Sequence, residues 1–173
     1  MSNKKYELLL DKSIEVAGRK LYRIRALISF GIVTAGDEGG YIEKEDNLSS
    51  SGDAWVSGNA WVYGTAWVYG NAWVYGDAQV YGDARVYGNA WVYGNAQILF
   101  FSKVGSSLGT LTAFRNKDQG ITVTRGCFIG SLVEFRAAVK KTHGGTEQEK
   151  GYGMIADYIE FHFTTLHPAE EQQ

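Results

Sequence analysis

Residues 58–96 read GNAWVYGTAWVYGNAWVYGDAQVYGDARVYGNAWVYGNA, and their period decides the fold. Glycine recurs at 52, 58, 64, 70, 76, 82, 88 and 94. Alanine follows two residues later, from Ala54 to Ala96, and two further on stand Val56, Val62, Val68, Val74, Val80, Val86, Val92 and Ile98. A six-residue period would smear these positions around a helix of 3.6 residues per turn. In an extended strand, residues two apart point to the same side. Ala and Val therefore face inward, and the residue between them and the one after Val face outward. Gly beside Asn or Asp is corner chemistry, tolerant of positive φ. Each hexad is expected to be a strand of three to five residues and a corner, with strands stacking at about 4.8 Å into a solenoid.

The units A-W-V and A-R-V resemble the hexapeptide-repeat proteins, left-handed parallel β-helices with an aliphatic residue inward and a small residue two before it. The glycine sits one place later than in the commonest family pattern. The resemblance implies three hexads per coil on a triangular prism, so that residues 18 apart stack. A right-handed or flattened β-roll with the same alternation stays open. Ile42, Leu48 and Ala54 are also six apart, which starts a less regular coil near Gly36.

The expected fold is thus mainly β: an N-terminal β cap over 1–35, a hexapeptide-repeat solenoid over 36–99 and a small α+β unit over 100–173. Solenoid ends expose unpaired backbone and need caps. YELLLDKSIEVAGRKLYRIRAL reads as strands around an Ala17-Gly18 turn, with Leu21, Arg23 and Arg25 alternating against Tyr22, Ile24 and Ala26. Past the repeat, strands are expected at 98–104, 109–115 and 120–125. Ser131 with Glu134 three residues on forms a capping box. The helix it starts presents Leu132, Phe135, Ala138 and Val139 on one face and ends at Gly144-Gly145. A second helix is expected over roughly 147–163, buried through Tyr152, Ile155 and Ile159, with a frayed tail after Phe163. The segment GSSLGTLTAFR...ITVTRGCFIGSLVEFRAAVKKTHG is similar to a segment of phage and prophage proteins, which implies a viral origin and a cytoplasmic setting in a bacterial host.

Composition narrows the function. The chain has 173 residues, 45% hydrophobic and 21% charged, with a single proline, Pro168. That suits a folded chain, in which the 22 glycines are positional. One cysteine, Cys127, excludes an intrachain disulfide and fits a reducing compartment. The opening MSNKKYELLLDKS is not expected to be a signal peptide, and no run approaches the roughly 20 apolar residues of a membrane span. Asn47-Leu48-Ser49 is read as a chance sequon. Residues 1–30 hold seven Lys/Arg against three acids, and residues 36–51 hold five acids against Lys44. An excess of four in a strand pattern reads as a solvated face, so nucleic acid is not the expected partner.

The resemblance also implies what to look for in chemistry. Acyltransferases of the hexapeptide-repeat kind use a solenoid histidine, and carbonic-anhydrase-like members bind metal through such histidines. Here His143, His162 and His167 all lie beyond the repeat. No enzyme activity, metal or cofactor is therefore expected. A thiol reading survives weakly: Cys127 as nucleophile, His143 as base and Glu134 orienting it. A lone cysteine after a strand is more often a small buried hydrophobe, and a histidine before Gly-Gly a helix C-terminal residue.

The exterior remains. Sorted by prism side, one face carries Trp55/Ser57, Trp73/Tyr75 and Trp91/Tyr93; a second Trp61/Tyr63, Gln79/Tyr81 and Gln97/Leu99; a third Trp67/Tyr69 and Arg85/Tyr87. Tyr columns are expected to stiffen the solenoid. A continuous Trp ladder is an apolar patch that something should cover: a sister copy in a trimer or dimer first, or else the chain's own caps, a partner protein or a flat ligand. Two function classes follow. One is a non-catalytic accessory protein that binds and blocks a host protein, for instance a defence component, through Trp55, Trp73, Trp91, Tyr75 and Tyr93. The other is a protein that binds a nucleotide or sugar, with Arg85, Arg115 and Arg125 meeting an anionic group. A structural virion part is a third, and ice binding lacks the Thr ladders it needs.

Overall fold

A computed structural model describes residues 4–169 and forms two units, Met1–Asn95 and Ala96–Gln173. In the first, β1 (Tyr6–Val16) and β2 (Arg19–Ala26) make an antiparallel hairpin about Ala17 and Gly18, both at positive φ. Then β2 pairs antiparallel with β3 (Glu38–Ile42). Leu21 and Ile24 are both fully buried, although strict alternation would place them on opposite faces. Register shifts between Leu9 and Ser13 and between Arg23 and Arg25 turn the hairpin so that both point in.

The hexads give seven strands of two residues each: β4 (Trp55–Val56), β5 (Trp61–Val62), β6 (Trp67–Val68), β7 (Trp73–Val74), β8 (Gln79–Val80), β9 (Arg85–Val86) and β10 (Trp91–Val92). They pair in parallel as three short ladders, β4-β7-β10, β3-β5-β8 and β6-β9. Within the repeat each residue meets the one 18 further on, as in Trp55↔Trp73 and Val62↔Val80. The strands are shorter than three to five residues because each corner glycine from 52 to 88 sits at φ between 63° and 74°. Hydrogen bonding nonetheless runs past the strands: Trp55 N–H donates to Ala72 O, Ser57 N–H to Val74 O and Asn59 N–H to Gly76 O, each at 2.9 Å. Ala54 through Ala90 and Val56 through Val92 are at most 1% exposed, so the in-out assignment holds.

Two details differ from the sequence reading. Ile42 and Leu48 pair with Val62 and Val68, 20 residues on rather than 18. The two extra residues lie within 49–53, so the inward successor of Leu48 is Val56, not Ala54. At the other end the repeat stops before Ile98. Residues Asn95–Gln97 form a 3-10 turn, and the Gln79 N–H is taken by the Asn95 side-chain oxygen at 2.9 Å. Gly94 lacks the positive φ of the other corners. Gln97 and Leu99 therefore do not extend the second face.

The second unit is an antiparallel sheet of β11 (Ile98–Val104), β12 (Gly109–Arg115), β13 (Ile121–Arg125) and β14 (Phe128–Ser131), in that order. Strand β14 falls where no element is expected from the sequence. Two helices follow, α1 (Leu132–His143) and α2 (Glu147–Phe161). Ser131 caps α1 reciprocally with Glu134, and Thr146 caps α2. Leu111, Val123, Leu132, Phe135, Ile159 and Phe163 are among the residues of the shared core. The expected fraying after Phe163 meets a π-helical turn, His162–Leu166, and residues 170–173 lie outside the described residues.

Candidate functional site

The outward positions of the repeat form three aromatic rows, and the cap determines which of their rings reach solvent. Trp55, Trp73 and Trp91 share one ladder in register. Trp55 is only 2% exposed within a single chain, so its expected place among the residues a second copy or partner would cover is corrected. Phe30 and Tyr6 pack edge-on against it, with ring centroids 5.4 and 6.4 Å away. Gly39 permits that closeness, since a Cβ there would stand 2.7 Å from the Trp55 ring and 2.5 Å from Ile24. Lys5 closes the same corner. Its ammonium donates to Ala54 O at 2.6 Å and Gly52 O at 3.0 Å, and lies 4.2 Å from the Phe30 ring centroid. Burial lowers it to about 8, against the opposing charge of Asp53. Tyr6 donates its hydroxyl to Leu48 O at 2.7 Å. A cap from the chain's own N-terminal part was among the expected covers; that Lys5, Tyr6 and Phe30 form it was not foreseen, although Gly39-Gly40 inside a strand was a signal of close backbone approach.

Beyond the cap the rows open. Trp73 is half-buried and Trp91 is 39% exposed. The expected column of stacked indoles does not form. Trp91 meets Tyr75 edge-on at 6.3 Å, and the rings that repeat from coil to coil are tyrosines, Tyr63–Tyr81 at 5.4 Å, Tyr69–Tyr87 at 4.5 Å and Tyr75–Tyr93 at 5.7 Å. Trp67, 41% exposed, lies on Tyr69 at 4.1 Å, and Arg85 stands exposed in register beside it. Burial, then the neighbouring Tyr87, pushes the Tyr69 phenol up to about 12, and burial also raises Tyr63 and Tyr87. Tyr63, Tyr69 and Tyr87 are thus neutral over the physiological range. Their hydroxyls bring polar tips to an otherwise apolar surface.

The remaining candidates lie in the second unit. Arg115 is buried, and its guanidinium ties down the π-helical turn by donating to Phe163 O and to His167 O at 2.8 Å, and also donates to Gln119 O at 2.8 Å. It is an internal clamp, not an anion receptor on the surface. Arg125 ends β13 and donates to Val104 O and to Ser107 Oγ at 2.9 Å. Cys127 is exposed at the β13–β14 turn and lines, with His143 and Arg125, one cavity of about 300 Å³. The thiol triad is not assembled. Glu134 is engaged by Ser131, whose N–H and hydroxyl lower its carboxyl, and His143 lies against the Tyr152 ring at 5.6 Å.

A repeat of hexads, paired at 18-residue spacing over buried Ala and Val, has a counterpart among known families. Residues 66–82 and 78–94 match the family model described as YdcK beta solenoid repeat. The central hexads form a β-solenoid repeat, similar to that family over these residues. No curated protein matches the chain. Among the described residues no helix is long and apolar enough to cross a membrane, and no cluster of three or more His, Cys, Asp or Glu is placed to hold a metal ion.

Proposed function

We propose that this chain is a non-catalytic binding protein whose solenoid flanks are its working surface. The observation that carries it is the exposure of Trp67 on one flank and of Trp91 on another, whose first rung, Trp55, is sealed by the chain's own aromatic residues. The cap exemplifies how such a ladder is satisfied, by rings seated edge-on against indole. A second copy meets the more apolar flank, Trp73, Tyr75, Trp91 and Tyr93, in a dimer or trimer. The flank of Trp67, Tyr69, Tyr87 and Arg85 mixes rings with a cation, the composition favoured at protein interfaces.

The finer picture follows from the resemblances. The solenoid winds as a left-handed hexapeptide-repeat helix, supported by three ladders served in turn by successive hexads. The tail supports a phage or prophage origin. In that setting the protein acts in the bacterial cytoplasm, where it occupies and blocks a host protein. Affinity capture from bacterial lysate with wild type, Trp67→Glu and Trp91→Glu tests the surface. A host protein retained by wild type and lost with Trp67→Glu is the expected result; identical captures by all three would remove the flank from the function.

A further inference from the structure

The cavity of the second unit has the makings of a site independent of the solenoid. It lies between the β13–β14 turn, the 104–109 loop and helix α1, with Tyr152 of α2 in its wall. Phe128, Phe135, Val139 and Tyr152 make it largely apolar, and the rings interlock, Phe128–Phe135 at 5.5 Å and Phe135–Tyr152 at 5.7 Å. One full charge lines it, Arg125, and among the described residues neither an Asp nor a Glu does.

Arg125 is held firmly. Its Nη2 donates to Val104 O and Ser107 Oγ, and Gly109 approaches so closely that a Cβ there would stand 2.6 Å from Nη1. Gly105 does the same for Tyr152, where a Cβ would overlap the hydroxyl at 2.1 Å. A guanidinium has five N–H donors. Here the Nε–H is buried without an acceptor, and Arg125 makes no ion pair among the described residues. A positioned, half-buried cation without a counter-charge, at the side of a ring-walled cavity, is suited to an anion. A volume of about 300 Å³ is at the small end for ligand sites, room for one ring and its substituent.

We infer that the Arg125 cavity binds a small molecule with a flat apolar body and one carboxylate, the anion on the guanidinium and the ring among Phe128, Phe135 and Tyr152. Cys127 and His143 stand at its walls as neighbours of the ligand, without a covalent step. The probe is fluorobenzoate, followed by fluorine NMR on the full chain, with the neutral isostere fluorobenzamide beside it. The acid should bind saturably at one site per chain and the amide should not. Arg125→Gln should weaken the acid about ten- to a hundredfold, the scale of a lost charge-assisted hydrogen bond. Because Arg125 also tethers Val104 and Ser107, Ala138→Trp serves as a second variant that keeps the arginine and fills the cavity. It should abolish binding with the melting temperature retained. Saturating fluorobenzoate should also slow alkylation of Cys127 by iodoacetamide. Equal binding of acid and amide, binding that survives either substitution, no saturable binding, or alkylation indifferent to the acid would overturn the assignment.

Discussion

Trp55 and Trp91 occupy equivalent places in one ladder and meet opposite fates, which separates what a tryptophan does for folding from what it offers a partner. Trp55 lies under Phe30 and Tyr6, and truncating a large buried ring typically costs about 3–5 kcal/mol. Trp55→Ala should lose stability on that scale in urea denaturation, whereas Trp91→Ala should change it by roughly 1 kcal/mol or less. Lys5 gives a pH signature. Burial lowers its ammonium from the ordinary 10.5 to about 8, so the unfolded chain holds that proton more tightly. Its contribution is fully present above about pH 10.5 and is lost as pH falls through about 8. Between about pH 7 and about pH 9, wild type should therefore gain stability relative to Lys5→Met. Parallel profiles for the two would show that the carbonyls of Gly52 and Ala54 already offset the burial. The raised Tyr6 and Tyr69 phenols act in the opposite sense, stabilising below pH 10 and losing that effect above it, so they do not confuse the window.

At the level of the elements, the corner glycines differ although their sequence context does not. Those from Gly52 to Gly88 have φ that an L side chain adopts at a cost of about 1–2 kcal/mol. At Gly76 a Cβ would also stand 2.2 Å from Tyr93 O, while at Gly88 it would meet nothing within 4 Å. Gly88→Ala should cost only the conformational penalty, and Gly76→Ala clearly more, as read from thermal melts of the two. The repeat itself was legible because one inward Val and one inward Ala recur with a fixed spacing, and period alone distinguishes strand from helix. The strand over 109–115 was legible from its flanking turns. What local sequence could not show depends on contacts distant in the chain. The two extra residues in 49–53 become visible only when Leu48 is seen beside Val68. Ile98 matches the repeat by type yet leaves it, because Asn95 takes the hydrogen bond that a further coil would need. Strand β14 is four residues of mixed polarity, ordered by pairing with β13. Of the candidate residues, the exposed Trp91 and Arg85 were legible by alternation. Trp55 and Arg115 were misjudged because their covers, Phe30 and Phe163, come from 25 and 48 residues away.

At the scale of the whole molecule, the inward and outward positions of the repeat have different surroundings. The buried Val and Ala columns, the glycine corners and the cap hold the first unit, and the outward Trp67, Trp73 and Trp91 form the surface we propose for association. Burying apolar area is worth about 25 cal/mol per Å², and each such side chain can cover ~150–250 Å², far beyond a surface salt bridge. Sedimentation velocity of wild type and Trp91→Glu at matched concentration, with circular dichroism and melting recorded on the same samples, tests this most directly. Wild type should sediment as a dimer or trimer, and Trp91→Glu as a monomer with unchanged β signal and melting temperature. A wild type that stays monomeric at every concentration, or a Trp91→Glu variant that assembles as wild type does, would contradict the account and leave the outer indoles as stiffeners of the coil.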